Sequence, residues 1–351
     1  MLALAGPFAA ALDLQDVARV ALPTNAVILL YSPGENALVE KNSDSAIAVV
    51  DIPTGNYTLR LANYRFTDLA LAPSGRYAFG ADYGGENIGY GTPASTSYVH
   101  RVDLHTKLWD SRAAYIAGNV QPVSNTQVIL KSLDQWVTFT NNAWGNGSDL
   151  VPLNTSSGGP WGPGYYATVY SGDFRYDTHT QRLIHGNSGL SSQEIQAFRV
   201  VNDDFVRQEG SGTYGSAQGY GGTVVLANDG RRFYYGELQV DALDVTHNTH
   251  VFPENIYAAT AHLALGDGKY YDAATGELLG SLPFSATVYG VNPHDDDFWA
   301  YEAATTTAHH FAAAAVPPAA ASEIPAMSMA SEAVFLALLL GVGVFVIRRR
   351  L

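Results

Sequence analysis

Two stretches of this 351-residue chain repeat one spacing of turn residues. In the first, an apolar run from Ala46 to Val50 ends in Asp51-Ile52-Pro53-Thr54-Gly55; Leu59-Arg60-Leu61 follows, and Phe66 to Leu71 then leads into Pro73-Ser74-Gly75-Arg76. In the second, Lys269-Tyr270-Tyr271 ends in Asp272-Ala273-Ala274-Thr275-Gly276; Leu278 to Leu282 follows, and Ala286 to Val291 leads into Asn292-Pro293. The interval from turn aspartate to second-turn proline is 22 residues in one and 21 in the other. An aspartate can cap its own turn and glycine supplies a positive φ, so each Asp-x-x-Thr-Gly reverses one short strand into the next. Strand, turn, strand, turn, strand is a β-meander, and a meander buries its faces only against copies of itself.

Fragments of the unit recur. Asp103-Leu104-His105-Thr106 and Asp177-Thr178-His179-Thr180 resemble the first turn, and Leu226 to Gly236 resembles Leu71 to Gly80 with one residue more. Units of roughly 40 to 50 residues with four short strands each are the signature of a β-propeller, and residues 13–312 hold about seven of them. The expected fold is therefore all-β: about seven blades of four antiparallel strands, with a C-terminal transmembrane helix. A pair of β-sandwiches or a β-helix also fits even strand spacing. Asn141 to Tyr166 and Glu209 to Gly222, rich in Gly, Asn, Ser and aromatics, read as long loops on one face of the disc.

Composition agrees with a β-rich body: 47% hydrophobic and 15% charged residues, with 34 Gly and 21 Tyr. The net charge is −14, and Arg348, Arg349 and Arg350 supply three of the 19 basic residues at the extreme C-terminus. Such a body repels phosphate backbones, which argues against nucleic acid as a partner. There are no cysteines, so disulfides, thiolate metal sites and thiol nucleophiles are excluded.

The repeat resembles the YVTN-type and related β-propeller repeats, whose blades carry a strand, an Asp-x-x-Thr-Gly turn and a Ser-Pro-Asp-Gly-Arg-like turn. A second resemblance lies in the last thirty residues. Ile324-Pro325 and Ser328, an uncharged run from Ala333 to Ile347 and Arg348-Arg349-Arg350 resemble the PEP-CTERM and IPTL-CTERM sorting signals. Ala326-Met327 stand where Thr-Leu is commoner in such signals. The resemblance implies processing by a bacterial exosortase-like sorting transpeptidase. Independently, the apolar run followed by arginines reads as a membrane segment with its basic end in the cytoplasm and the body outside.

The expected organisation follows. Residues 1–12, apolar and ending in small residues, read as part of a signal peptide, and residues 13–312 as the propeller. Residues 313–332 form an Ala/Pro-rich spacer with the sorting motif, and residues 333–351 the membrane helix and basic tail.

Candidate sites are few. Trp144 and Trp161, with Tyr165 and Tyr166, lie in Gly/Asn-rich sequence with no strand periodicity, where exposed rings suit a polysaccharide or surface protein. The remaining tryptophans, Trp109, Trp136 and Trp299, read as blade packing. Asp295-Asp296-Asp297 cluster hard oxygens of the kind calcium takes, without EF-hand spacing; no other cofactor is expected. His247, His250, His262, His294, His309 and His310 crowd the C-terminal third and read as exposed turn residues rather than a metal site.

No Gly-x-Ser-x-Gly elbow, Walker loop or His-Glu-x-x-His occurs. The expected role is a non-catalytic, exported cell-envelope or matrix protein that binds or scaffolds. The alternative is a hydrolase or lactonase with acids or histidines converging in the central channel.

Overall fold

The computed structural model describes residues 14–313 except 45, 63, 65, 73, 83–96, 115–124, 133–134, 142–148, 155–164, 167–171, 178, 188–192, 202–203, 215–223, 228 and 293–294, and at some strand positions the backbone alone. The chain divides into Met1–Ala313 and Ala314–Leu351, and the second unit lies outside the described residues.

The first unit opens with β1 (Leu14–Ala21) and continues into sheet I, formed by β2 (Ala26–Ser32), β3 (Ala37–Asn42), β4 (Ile47–Asp51) and β5 (Tyr57–Leu61). Sheet II holds β6 (Phe66–Leu71), β7 (Tyr77–Asp82), β8 (Ser97–Asp103) and β9 (Trp109–Ala114). Sheet III holds β10 (Asn125–Ser132), β11 (Gln135–Asn141), β12 (Asp149–Asn154) and β13 (Tyr165–Tyr166). Sheet IV holds β14 (Gly172–Asp177), β15 (Arg182–Asn187), β16 (Gln193–Val201) and β17 (Asp204–Tyr214). Sheet V holds β18 (Val224–Leu226), β19 (Arg232–Tyr235), β20 (Leu238–Asp241) and β21 (Asn248–Val251). Sheet VI holds β22 (Ala258–Ala259), β23 (Leu263–Leu265), β24 (Lys269–Asp272) and β25 (Leu278–Ser281). Sheet VII holds β26 (Tyr289–Val291), β27 (Phe298–Glu302) and β28 (Thr307–Ala313), and takes β1 as its fourth strand.

Every sheet is antiparallel, and sheets I to VI are meanders. The first strand of each touches the first strand of the next, from β2 through β6, β10, β14, β18, β22 and β26 back to β2. This cyclic contact makes the molecule a β-propeller with those strands innermost. The ring closes because β1 leaves the N-terminus and pairs with β28, from Leu14 opposite Ala313 to Ala21 opposite Thr307.

Packing lies between the sheets. In β3 and β4 alternate residues serve two seams: Ala37, Val39, Ile47 and Val49 pack toward sheet II, whereas Leu38 and Val50 pack toward sheet VII. A strand buried on both faces reads as a continuous apolar run, which is what Ile47-Ala48-Val49-Val50 is. Equivalent seams join sheets IV and V, V and VI, and VI and VII. Outer strands pack on fewer sides and leave Val17, Tyr57, Trp109, Val251 and Leu278 exposed.

The repeat legible in the sequence is out of phase with the sheets. It starts on the third strand of sheet I (β4), passes β5, and ends on the first two strands of sheet II, β6 and β7. The expected loops are corrected in part. Asp149–Asn154 and Tyr165–Tyr166 are strands of sheet III, and Glu209 to Tyr214 completes the 11-residue β17, paired along its length with β16. Gly- and Ser-rich composition is tolerated there because β17 is an outer strand, hydrogen-bonded within its sheet to β16 alone. Among the described residues, no helix is long and apolar enough to cross a membrane. The expected membrane helix, 333–351, lies outside them.

Candidate functional site

One face of the disc carries the turns between first and second strands and between third and fourth strands. The third strands of sheets I, II, V and VI end in Asp51, Asp103, Asp241 and Asp272. Each carboxylate accepts hydrogen bonds from its own turn: Asp51 Oδ1 from the Thr54 N–H and hydroxyl, Asp103 Oδ1 from the His105 and Thr106 N–H, Asp241 Oδ1 from the Leu243 N–H, and Asp272 Oδ1 from the Ala274 and Thr275 N–H. The residue after each aspartate then donates its N–H to the sheet's other turn: Ile52 to Asn36, Leu104 to Arg76, Ala242 to Arg231 and Ala273 to His262. In sheet II this clamp is reinforced by Arg76, whose guanidinium reaches Asp103 at 2.8 Å. Burial alone would raise the Asp103 carboxyl, but Arg76 and the turn N–H groups outweigh it and hold it down at about 2. Asp177 caps a turn of the same chemistry between β14 and β15.

The turn of sheet VII on this face is the acidic one. Its three carboxylates diverge. Asp295 Oδ2 accepts from the Asn292 amide at 3.1 Å. Asp296 reaches back to sheet VI, accepting from the Thr260 hydroxyl at 2.6 Å and meeting His262 Nδ1 at 2.8 Å. Asp297 turns the other way, with Oδ2 at 3.0 Å from His310 Nε2. Among the described residues no three His, Cys, Asp or Glu side chains gather as a metal-ligand set.

Beyond Asp297 the seam between sheets VII and I is aromatic. The Trp299 and His310 rings, directly opposite in the β27–β28 ladder, stack with centroids 4.7 Å apart and 4° between planes. Tyr31, from the end of β2, stands edge-on to both, at 6.2 Å and 5.9 Å. Burial and the Asp297 charge push the Tyr31 phenol up. Asp297 Oδ1 and Trp299 Nε1 are both buried, and the Tyr31 hydroxyl faces both residues.

A second polar constellation crosses the centre. Arg175 on β14 bridges Asp173 on its own strand, at 2.9 Å, and Asp68 on β6, at 3.3 Å, two innermost strands away. Asp173 Oδ2 also accepts the Val224 N–H of β18 at 2.6 Å. Burial opposes the charge on Arg175, but the two carboxylates prevail and raise its pKa. At the Asp68 end lies Lys41 of β3, buried, its pKa lowered by that burial against the pull of Asp68. Charges thus alternate from Lys41 of sheet I through Asp68 of sheet II to Arg175 and Asp173 of sheet IV, where Asp173 takes a backbone N–H from sheet V.

His100 Nδ1 lies 2.7 Å from Ser111 Oγ, the separation of a nucleophile and its base. The two are directly opposite on β8 and β9, and the same cross-strand polar pairing recurs as His185 with Gln196 at 2.9 Å. Both pairs are ladder contacts between polar residues that share a sheet face.

Of the sequence-derived candidates, Trp144, Trp161 and the sorting residues Ile324, Pro325, Ser328, Arg348, Arg349 and Arg350 lie outside the described residues. Tyr165 and Tyr166 form β13, described by backbone alone. Trp299 packs as expected at 1% exposure, but Trp109, on the outer strand β9, is 42% exposed and does not. His309 is buried, between Asp16 and Glu302, rather than an exposed turn residue. Asp68, Asp173 and Arg175 went unrecognised; their signal is a charge inside a short inner strand, Phe66-Thr67-Asp68 and Asp173-Phe174-Arg175.

No family model matches the chain, and no curated protein matches it. Among solved structures it is similar to the β-propeller domain of Cps50 (Swd1) from Myceliophteria thermophila, with a TM-score of 0.59 and 12% identity over 86% of this chain and 100% of that one. Such a likeness shows the fold alone.

Proposed function

We propose that this chain is a non-catalytic, exported β-propeller of the cell envelope or extracellular matrix, which binds or scaffolds a polysaccharide or surface protein. In this reading the seven four-stranded sheets are the blades of one seven-bladed ring. Residues 333–351 hold it at the membrane until a sorting transpeptidase acts on the motif around Ile324, Pro325 and Ser328.

The observation that carries the non-catalytic part is the state of the central carboxylates. Asp68 and Asp173 meet around Arg175 rather than around an open point, and Asp173 is further committed to a backbone N–H. A hydrolase needs one acid that gives a proton and a second group that takes one. A guanidinium placed between two carboxylates favours both remaining ionised, so neither is suited to donate. The export part is supported by the apolar run ending in Arg348-Arg349-Arg350.

Cell fractionation with protease protection tests it. The propeller is expected on the outer side of the membrane, degraded by added protease in intact spheroplasts. Soluble cytoplasmic protein retaining residues 348–351 would overturn the reading.

A further inference from the structure

We propose that the closure of the ring is a proton-dependent clasp: β1 and the link that follows it, residues 22–25, are held while Glu40 and His309 carry their protons and loosen when both lose them. One contact lies beyond the end of β1 and the other near its start.

Glu40 is fully buried in the seam between sheets VII and I, two residues along β3 from Leu38 and on the same side. Leu29 and Ala48 oppose it in the neighbouring strands and close it in on two sides. The Thr24 hydroxyl of the link is its hydrogen-bond partner, and Oε2 has none. The other titratable group facing it is the Tyr301 phenol of β27, which burial and the Glu40 charge push up and which donates to Asn25 of the same link at 3.2 Å. Lys41, the next residue of β3, lies toward Asp68 on the opposite side. As a neutral acid Glu40 suits this place; as a carboxylate it needs water. Of what covers it, the link is the part that reaches solvent, with Thr24 half-buried and Asn25 exposed, so hydration displaces the link first.

His309 on β28 lies between two carboxylates, with Nδ1 2.9 Å from Asp16 on β1 and Nε2 3.3 Å from Glu302 on β27. The Phe284 ring covers it, with centroids 4.6 Å apart, and Arg19 pairs with Asp16 within β1 itself. An imidazolium donates to both carboxylates. A neutral ring has one N–H and sets its other nitrogen, a lone pair, against a carboxylate oxygen, so the bridge from β1 to β27 is broken at one end.

Both groups hold the strand when protonated. The Glu40 contribution is lost as pH rises through about 7, and protonation of Asp16 ends the His309 bridge at the acid end. Closure is therefore tightest in the window between. Val20 and Leu22 remain in the apolar seam at every pH, so the change is a loosening of β1 rather than its release.

Hydrogen exchange on the full chain at roughly pH 5.5 and roughly pH 8, corrected for the intrinsic pH dependence of amide exchange, tests the clasp. Protection of the β1 and β28 amides is expected to fall about tenfold between the two, while that of β3 and β4 holds. Glu40→Gln should keep much of the protection at the higher pH, and His309→Asn should lose it already at the lower one. If His309→Asn does not fold, Glu40→Gln alone carries the comparison. Equal β1 protection at both pH values in the native protein overturns the clasp, as does a fall that Glu40→Gln leaves unchanged. A fall shared by β3 and β4 overturns it too, because the whole ring would then be responding.

Discussion

The Glu40 carboxyl of β3 accepts a hydrogen bond from the Thr24 hydroxyl at 3.1 Å, and its other oxygen, Oε2, is buried without a partner. Thr24 sits in the link from β1 to β2, the segment that joins the ring-closing strand to sheet I. One hydroxyl does not compensate a carboxylate stripped of water, and burial raises the Glu40 pKa to about 7. The folded state therefore holds this proton more tightly than the unfolded chain does.

A raised acid gives stability that is fully present below the unfolded pKa of 4.5 and lost as pH rises through about 7. The loss is on the order of 3 kcal/mol once Glu40 is fully ionised. Glu40→Gln keeps the shape and the acceptor for Thr24 but cannot ionise. Urea unfolding is expected to show the variant gaining on the native protein by roughly that amount between pH 4 and pH 8. An equal gap between the two proteins at both pH values would mean that Glu40 is not the titrating group.

Arg175 makes the opposite case, a charge that is needed. Replacing it with Met removes the cation that bridges Asp68 and Asp173. Breaking a buried pair costs about 3 to 5 kcal/mol, and the 29% exposure of the Arg175 side chain brings the expected loss to roughly 2 to 3 kcal/mol. The deficit should shrink as pH falls through the carboxylate range, and Arg175→Met combined with Asp68→Asn and Asp173→Asn should recover much of it. Thermal unfolding of the single and triple variants, each over a pH series, measures this; a deficit independent of pH would point to lost packing instead.

Turn glycines separate two kinds of constraint. Gly55 closes the Asp51 turn at φ +67 with nothing near its missing β-carbon, so Gly55→Ala is charged only the left-handed backbone, about 1 kcal/mol. The same place in related turns is held by Lys107 and Gln181 at φ 60 and 53, so a side chain is tolerated there. Gly268 has φ +64 and would also set a β-carbon 2.4 Å from the Phe284 carbonyl oxygen, which is backbone and cannot swing away. Gly268→Ala should cost several times as much as Gly55→Ala in urea midpoint. Equal costs would show that the strand ends at sheets VI and VII yield freely.

These turns explain why the fold could be read and the site could not. An aspartate capping its own turn and a residue at positive φ are local requirements, so Asp51 to Gly55 and Asp272 to Gly276 announce themselves in sequence. The phase of the sheets is not local. Whether β4 is the first or third strand of its sheet depends on β1 crossing to β28, nearly the whole described chain away. The Asp68–Arg175 pair spans 107 positions, and nothing near either residue specifies the other. Asp295 to Asp297 drew notice as a cluster, yet the structure sends their carboxylates to Asn292, to Thr260 and His262, and to His310, because neighbouring residues of a turn face different seams.

The ring closure itself gives the last test. Asp16 on β1 lies 2.9 Å from His309 Nδ1 on β28, and Glu302 lies 3.3 Å from the other ring nitrogen. Burial would raise the Asp16 carboxyl, but hydrogen bonds from His309 and Arg19 outweigh it and lower the pKa. Its contribution is therefore present above the ordinary aspartate value and lost as pH falls through the lowered one. Asp16→Asn removes the charge while keeping a polar group of the same size, and should cost about 1 to 2 kcal/mol. The loss should be local, because β1 is the one strand whose attachment to sheet VII is not through a tight turn. Hydrogen exchange is expected to quicken at the β1 and β28 amides while those of β3 and β4 stay protected. A uniform rise across all sheets would mean that the ring opens as a whole and that the Asp16–His309 contact is not its clasp.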